Sequence, residues 1–231
     1  MFHIKDEEFI RGNVPMTKEE IRAISIAKLD VRENDICLDI GAGTGSVSIE
    51  MANFSKNGKI YAVEINEEAL DLIEKNIEKF DKKNIEVIKG MAPQILPKIE
   101  LDKIFIGGTK GNIVEIIEYC ETYLKSQGKI CLNFIVLENL FLAIETLKKS
   151  KFKNIDIAQI SVSKNKVIGD MNMMMASNTN ETSIIEKEFD TATDFFDEIK
   201  GKYFAEIPAF KERSWGMSHD YKIAIKHGST M

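Results

Sequence analysis

Apolar and polar positions along the chain follow two rhythms. Short, nearly continuous apolar runs centre on Ile36–Ile40, Lys59–Glu64, Ile85–Lys89, Lys103–Ile106 and Lys129–Phe134. Runs of this kind predict strands buried on both faces. Between them apolar residues recur at helical spacing. The spacing predicts helices from Gly45 onward, over Glu67–Phe80 (Leu70, Ile73 and Ile77 on one side), over Ile113–Leu124 and over Val136–Ser150. Ahead of the first strand, Thr17-Lys18-Glu19-Glu20 reads as a capping box opening a helix to about Leu29. Residues Met1–Met16 show no period and predict an irregular arm. Asn154–Lys164 predicts a sixth strand. Alternating strand and helix units imply an α/β fold with a doubly wound, mostly parallel sheet, with ligands at the carboxyl ends of its strands.

The stretch Asp39-Ile40-Gly41-Ala42-Gly43-Thr44-Gly45-Ser46 follows the first of these strands and leads into a helix. Its glycines allow a sharp turn and close approach to a ligand. The dinucleotide fingerprint G-x-G-x-x-G requires a glycine where Ser46 stands. An acid two residues before the first glycine would also repel a pyrophosphate, whereas it suits a cation. S-adenosylmethionine carries an ammonium and a sulfonium, and the loop resembles that of class I S-adenosylmethionine-dependent methyltransferases. Glu64, at the end of the next strand, can accept ribose hydroxyls. Ala92 is small and sits just past Gly90, so its backbone can meet an adenine edge; Met91 stands where many related enzymes have Asp.

The net charge of −6 argues against general nucleic-acid binding. Apolar content of 44% and charged content of 29% suit a soluble globule. The three cysteines, Cys37, Cys120 and Cys131, fit no zinc spacing and read as buried thiols, so no metal site is expected. With no leader-like apolar stretch and no membrane-length run, the expected location is cytoplasmic.

The arm Asp6-Glu7-Glu8-Phe9-Ile10-Arg11-Gly12, the segment Val14–Arg22, the glycine loop, Phe105-Ile106-Gly107-Gly108-Thr109, and Ile160–Ser163 with the following Met173-Met174-Met175 carry a closer likeness. Over roughly residues 3–178 the chain resembles the decarboxylating cobalt-precorrin-6B (C15)-methyltransferases of cobalamin biosynthesis. The resemblance implies cofactor contacts at Thr17, Gly41, Ala42, Gly43, Thr44, Gly45, Glu64 and Ala92. It also implies a cobalt-precorrin tetrapyrrole substrate, a homo-oligomer and a companion precorrin C5-methyltransferase. Loss of CO2 would deliver electrons to the ring, so no general base is assigned; His3, His219 and His227 all lie outside the expected crevice.

A polycarboxylate substrate meeting an acidic protein requires a local cationic mouth, and Arg11, Lys18, Arg22 and Lys110, with Lys164 and Lys166, are placed to form one. Met171 and Met173–Met175 suit a broad apolar ring site. The likeness stops at Asn178. There the family enters a closing strand, whereas this chain has a helical pattern over Ile184–Lys200 and only then Tyr221–Lys226, read as the seventh strand displaced by an insertion. The expected organisation is a methyltransferase domain over 1–178 and an atypical C-terminal segment over 179–231. Two other readings stand beside this one. The first is an RNA or protein methyltransferase, disfavoured because Gly107-Gly108-Thr109-Lys110 replaces the Asn/Asp-Pro-Pro-aromatic turn of several amino-group methyltransferases. The second is a catalytically retired scaffold.

Overall fold

The computed structural model describes residues 3–168, 171–176, 189–197, 200 and 225–227. The chain forms two compact units, Met1–Ala158 and Gln159–Met231, so the structural division falls ahead of the boundary expected at 178.

The first unit is an α/β sandwich. Its strands are β1 (Ile36–Ile40), β2 (Lys59–Glu64), β3 (Ile85–Lys89), β4 (Leu101–Ile106) and β5 (Leu124–Leu132), all parallel, in the order β3-β2-β1-β4-β5. Its helices are α1 (Glu19–Leu29), α2 (Ser46–Phe54), α3 (Glu67–Lys79), α4 (Ile113–Tyr123) and α5 (Leu137–Lys149). The alternation of strand side chains divides the core in two. Leu38, Ile40, Ile104 and Ile106 pack with Ile116, Tyr119 and Cys120 of α4. Cys37, Ile60 and Phe105 face the other way, onto Ile26 and Leu29 of α1 and Val47, Met51 and Ala52 of α2. The strand order reverses between β1 and β4, so the turns leaving these two strands flank the switch-point crevice.

The N-terminal arm is ordered. A short 3-10 turn at Asp6–Glu8 leads into extended chain, and the whole is anchored on Arg22 of α1. This fully buried guanidinium donates to the Ile4 carbonyl at 2.5 Å, to the Thr17 carbonyl at 2.6 Å and to Asp6 Oδ1 at 3.1 Å. Its Nε lies 3.5 Å from Glu50 Oε1 of α2, and its carbon 4.8 Å from the centroid of the Phe9 ring. Glu50 Oε1 in turn accepts from the Ile4 amide at 2.8 Å. Arg22 therefore does not belong to a cationic mouth: Asp6 and Glu50 consume its charge inside the protein. The capping box is not formed either. α1 begins one residue late, with Lys18 as its cap residue and no side-chain cap, and the Thr17 carbonyl is given to Arg22.

In the second unit, β6 (Ser163–Ile168) and β7 (Met171–Ala176) pair as an antiparallel hairpin. The expected strand over Asn154–Lys164 is thus displaced. Asn154 takes a left-handed conformation at φ 57°, residues 155–162 join no ladder, and the alternating Ile155, Ile157 and Ile160 are exposed. Residues 189–197 are helical, within the helix expected over Ile184–Lys200. Asp190 Oδ1 lies 2.5 Å from His227 Nδ1. Of the expected seventh strand, residues 221–224 lie outside the described residues, while Ile225 and Lys226 are helical rather than extended. Five of the seven expected strands therefore form the described parallel sheet. All three cysteines are free, and burial raises each thiol above its ordinary pKa.

Replacing Arg22 with Met leaves Asp6 and Glu50 buried without a counter-charge. Chemical unfolding should show a loss of about 3–5 kcal/mol; a loss below about 1 kcal/mol, the scale of an exposed pair, would show that the anchor is dispensable.

Candidate active site

The crevice is built from backbone. After β1 the chain turns through Gly41 (φ +73°) and Gly43 (φ +58°) and enters α2 from Gly45, itself left-handed. The Gly41 and Ala42 amides both donate to the Val63 carbonyl of β2, at 2.9 and 3.1 Å. The turn after β4 is held in the same way, Gly107 and Gly108 donating to the Ile40 carbonyl at 2.9 and 3.2 Å. The two turns touch: a Cβ on Gly41 would stand 2.7 Å from the Gly108 nitrogen. On the other side, a Cβ on Gly43 would stand 3.0 Å from the Pro15 carbonyl oxygen of the arm. Glycine is needed here twice over, for the positive φ and for the close approach.

Glu64 closes the loop from β2. Its Oε2 accepts from the Gly43 amide at 2.9 Å, and its Oε1 from the Ile65 and Asn66 amides at 2.8 and 2.9 Å. An ionised carboxylate offers about four acceptor sites, so roughly one remains for a ligand. Asp39 lies beneath the loop, 1% exposed. Its Oδ2 accepts from Ser48 Oγ of α2 at 2.5 Å, and its Oδ1 is buried without a hydrogen-bond partner. Burial pushes the Asp39 carboxyl up to about 7, the Ser48 bond opposes this, and the nearby charge of Glu64 adds to it. The Thr44 hydroxyl is also buried without a partner, while its carbonyl accepts from Asn76 Nδ2 at 3.0 Å.

Ala92 is buried beside the crevice, in the core cluster that contains Ile40 and Val63. Its carbonyl accepts from Asn112 Nδ2 at 2.9 Å, and its N–H makes no hydrogen bond among the described residues. Met91 beside it is exposed. Of the expected cations, Arg11 on the arm and Lys110 (φ 47°) on the β4 turn are exposed, and Lys18 is half-buried at the start of α1; none makes an ion pair among the described residues. Lys164 lies on β6, and Met171 and Met173–Met175 lie on β7, in the second unit. Thr17 is half-buried where the arm meets α1.

Sequence reasoning missed Asn76. Its Oδ1 accepts from the Ile10 amide at 2.8 Å, and its Nδ2 donates to the Ile10 and Thr44 carbonyls, both at 3.0 Å. It thereby joins the arm, α3 and the glycine loop. A polar residue one place before Ile77, on the apolar side of α3, was the available signal.

These residues fit S-adenosylmethionine. The cradle is free of side chains, a carboxylate with spare acceptor capacity stands at the end of β2, and a second carboxylate beneath lacks a counter-charge. The strand order, the glycine loop and the strand-end acid together define a class I S-adenosylmethionine-dependent methyltransferase. Residues 8–185 match the model of the precorrin methyltransferase domain, and the chain belongs to that family. It is 41% identical over 178 residues to a probable cobalt-precorrin-6B C(15)-methyltransferase (decarboxylating) of Methanocaldococcus jannaschii, covering 77% of this chain and 94% of the relative. Two crystal structures share the fold. A precorrin-6y C5,15-methyltransferase of Geobacter metallireducens is 36% identical with TM-score 0.72, covering 76% of this chain and 93% of that one. A precorrin 8w decarboxylase of Methanobacterium thermoautotrophicum is 30% identical with TM-score 0.71, covering 76% and 95%.

Gly41→Ala should abolish saturable S-adenosylmethionine binding in calorimetry and lower the unfolding midpoint, because strain and collision with Gly108 coincide. Gly111→Ala, also at positive φ (+92°) but with nothing within 4 Å, should lose about 1 kcal/mol of stability and keep cofactor binding. Equal binding by both variants would show that the Gly41–Gly108 approach is not needed.

Proposed function

We propose that this chain methylates C15 of cobalt-precorrin-6B and decarboxylates an acetate side chain of the ring, in cobalamin biosynthesis. The supporting observation is the 41% identity extending over 94% of a relative named for that reaction. When bound, S-adenosylmethionine supplies an electrophilic methyl group. The Gly41–Gly45 backbone cradles it, with Ala42 and Thr44 in the wall, and Glu64 accepts a ribose hydroxyl. The Ala92 N–H meets the adenine edge, and Thr17 lies where the arm closes over the loop. Positioning of the methyl in line with the ring carbon carries much of the rate. Because loss of CO2 returns electrons to the conjugated ring, the chain needs no strong base.

Arg11, Lys18 and Lys110 hold the carboxylates of the ring; Arg22 is excluded by its burial. Exposed Ile135, Val136, Leu137, Phe141 and Leu142, just before and in the first half of α5, support a homo-oligomer. A companion enzyme would serve C5, since the Methanocaldococcus relative is named for C15 alone.

Incubation with cobalt-precorrin-6B and S-adenosylmethionine should yield a product that has gained one methyl and lost one CO2, by mass measurement. An unchanged ring mass despite cofactor binding would overturn the assignment. Glu64→Gln should weaken cofactor binding by about 10- to 100-fold, the scale of a charged hydrogen bond. Arg11→Ala and Lys110→Ala should instead raise the KM for the ring with cofactor affinity unchanged; a change confined to cofactor affinity would move these cations out of the substrate site.

A further inference from the structure

Among the described residues, Asp39 is the acid at the crevice whose burial and hydrogen bonding do not match a charge. It is 1% exposed, has a single side-chain donor in Ser48, and has an oxygen with no partner. The buried cations on the elements around it are committed elsewhere: Lys103 of β4 lies 3.9 Å from Asp35, and Arg22 of α1 pairs with Asp6 and Glu50. β1 pairs it with Ala62 of β2 and Phe105 of β4, neither ionisable. α2 contributes Ser48, and its Glu50 is committed to Arg22 of α1. The charge that acts on Asp39 is a second carboxylate, Glu64. Burial without a counter-charge, next to a like charge, favours the protonated acid. A ligand with positive charge in the loop above reverses that preference.

We propose that Asp39 carries a proton in the free protein and surrenders it when a cationic ligand enters the glycine loop, so that cofactor binding is coupled to proton release and the sulfonium is favoured over its neutral thioether product. The O–H bond at Asp39 breaks, its electron pair stays on the carboxylate, and the proton passes to the solvent. The inference rests on the methyltransferase reading and adds to it a means of product discharge: methyl transfer removes the sulfonium charge, and the carboxylate then regains its proton.

The sign follows from burial raising the Asp39 carboxyl to about 7 in the free protein. A bound cation lowers it, so between the two values binding releases a proton. Affinity then rises with pH up to about 7, by at most about tenfold per unit for one proton, and levels off above. The ligand's own amino group titrates near 7.7–8.0, and a variant without Asp39 supplies that baseline.

The test is calorimetric titration of S-adenosylmethionine into the full chain between about pH 5.5 and 8, in buffers of different ionisation enthalpy, which counts protons released. Wild type should release close to one proton near pH 6, S-adenosylhomocysteine should release fewer, and Asp39→Asn should release none beyond the ligand's own. Ser48→Ala, which removes the hydroxyl donor, should move the inflection to higher pH, so the inference remains testable should Asp39→Asn not fold. Saturable binding with no buffer-dependent heat, or the same pH profile in wild type and Ser48→Ala, would overturn the inference alone. No saturable binding at any pH would overturn it together with the methyltransferase reading.

Discussion

The first unit is arranged around one backbone contact, the approach of Gly41 to Gly108 across the switch point. Parallel strands β1 and β4 end side by side, and the chain leaves them toward opposite faces of the sheet, to α2 and to α4. Two turns must then pass through the same small space. They do so because neither carries a Cβ at the contact, and because the Val63 and Ile40 carbonyls each take two amides from the departing chain. Those bonds use the inward amides for structure. What remains at the turn is main chain without a side chain at Gly41 or Gly43, and a ligand site there would follow from how the turn had to be built.

The arm lies against the glycine loop at Gly43. Extended chain crossing a surface has backbone groups to satisfy, and several of these are met by specific side chains. Arg22 and Glu50 hold Ile4, and Asn76 takes both polar groups of Ile10. Glu68 accepts the Asn13 amide at 2.8 Å. Asn76 also holds the Thr44 carbonyl, so arm and glycine loop share one anchor on α3. Asn76 thus adds a second link between arm and loop to the direct approach of the Pro15 carbonyl to Gly43.

Much of this was legible in the sequence, and the failures have a common cause. Strands β1 to β4 and helices α2 to α5 follow from period alone, with ends within a few residues, because each buries a stripe against the same sheet. The loop and Glu64 were legible because their spacing is chemical. Period cannot assign partners. Arg22 was read as surface charge because a buried Arg and an exposed one look alike until Asp6 and Glu50 are known to converge on it; an acid at Glu50, within the otherwise apolar α2, was the clue. The capping box failed because Thr17 had a competing use for its carbonyl. Asn154–Lys164 is apolar enough for a strand, yet its isoleucines are exposed, and the partner of Ser163–Ile168 is the next segment along the chain, for which the intervening Gly169-Asp170 was the available signal.

On the proposed function, the arrangement of charge would let an acidic protein serve a cationic cofactor and an anionic ring. The acids Asp39 and Glu64 are buried or nearly so, in a medium of low effective dielectric, and their influence is concentrated within the loop. Arg11 and Lys110 are exposed, and salt confines the reach of exposed charges to about 8 Å under physiological conditions. Each set therefore acts on what lies against it. A carboxylate-rich ring would be met by exposed, solvated cations, while the methyl donor would be met by buried, hydrogen-bonded acids. Precision would be needed where the methyl is aimed, and the buried, hydrogen-bonded half of the crevice is the half placed to aim it.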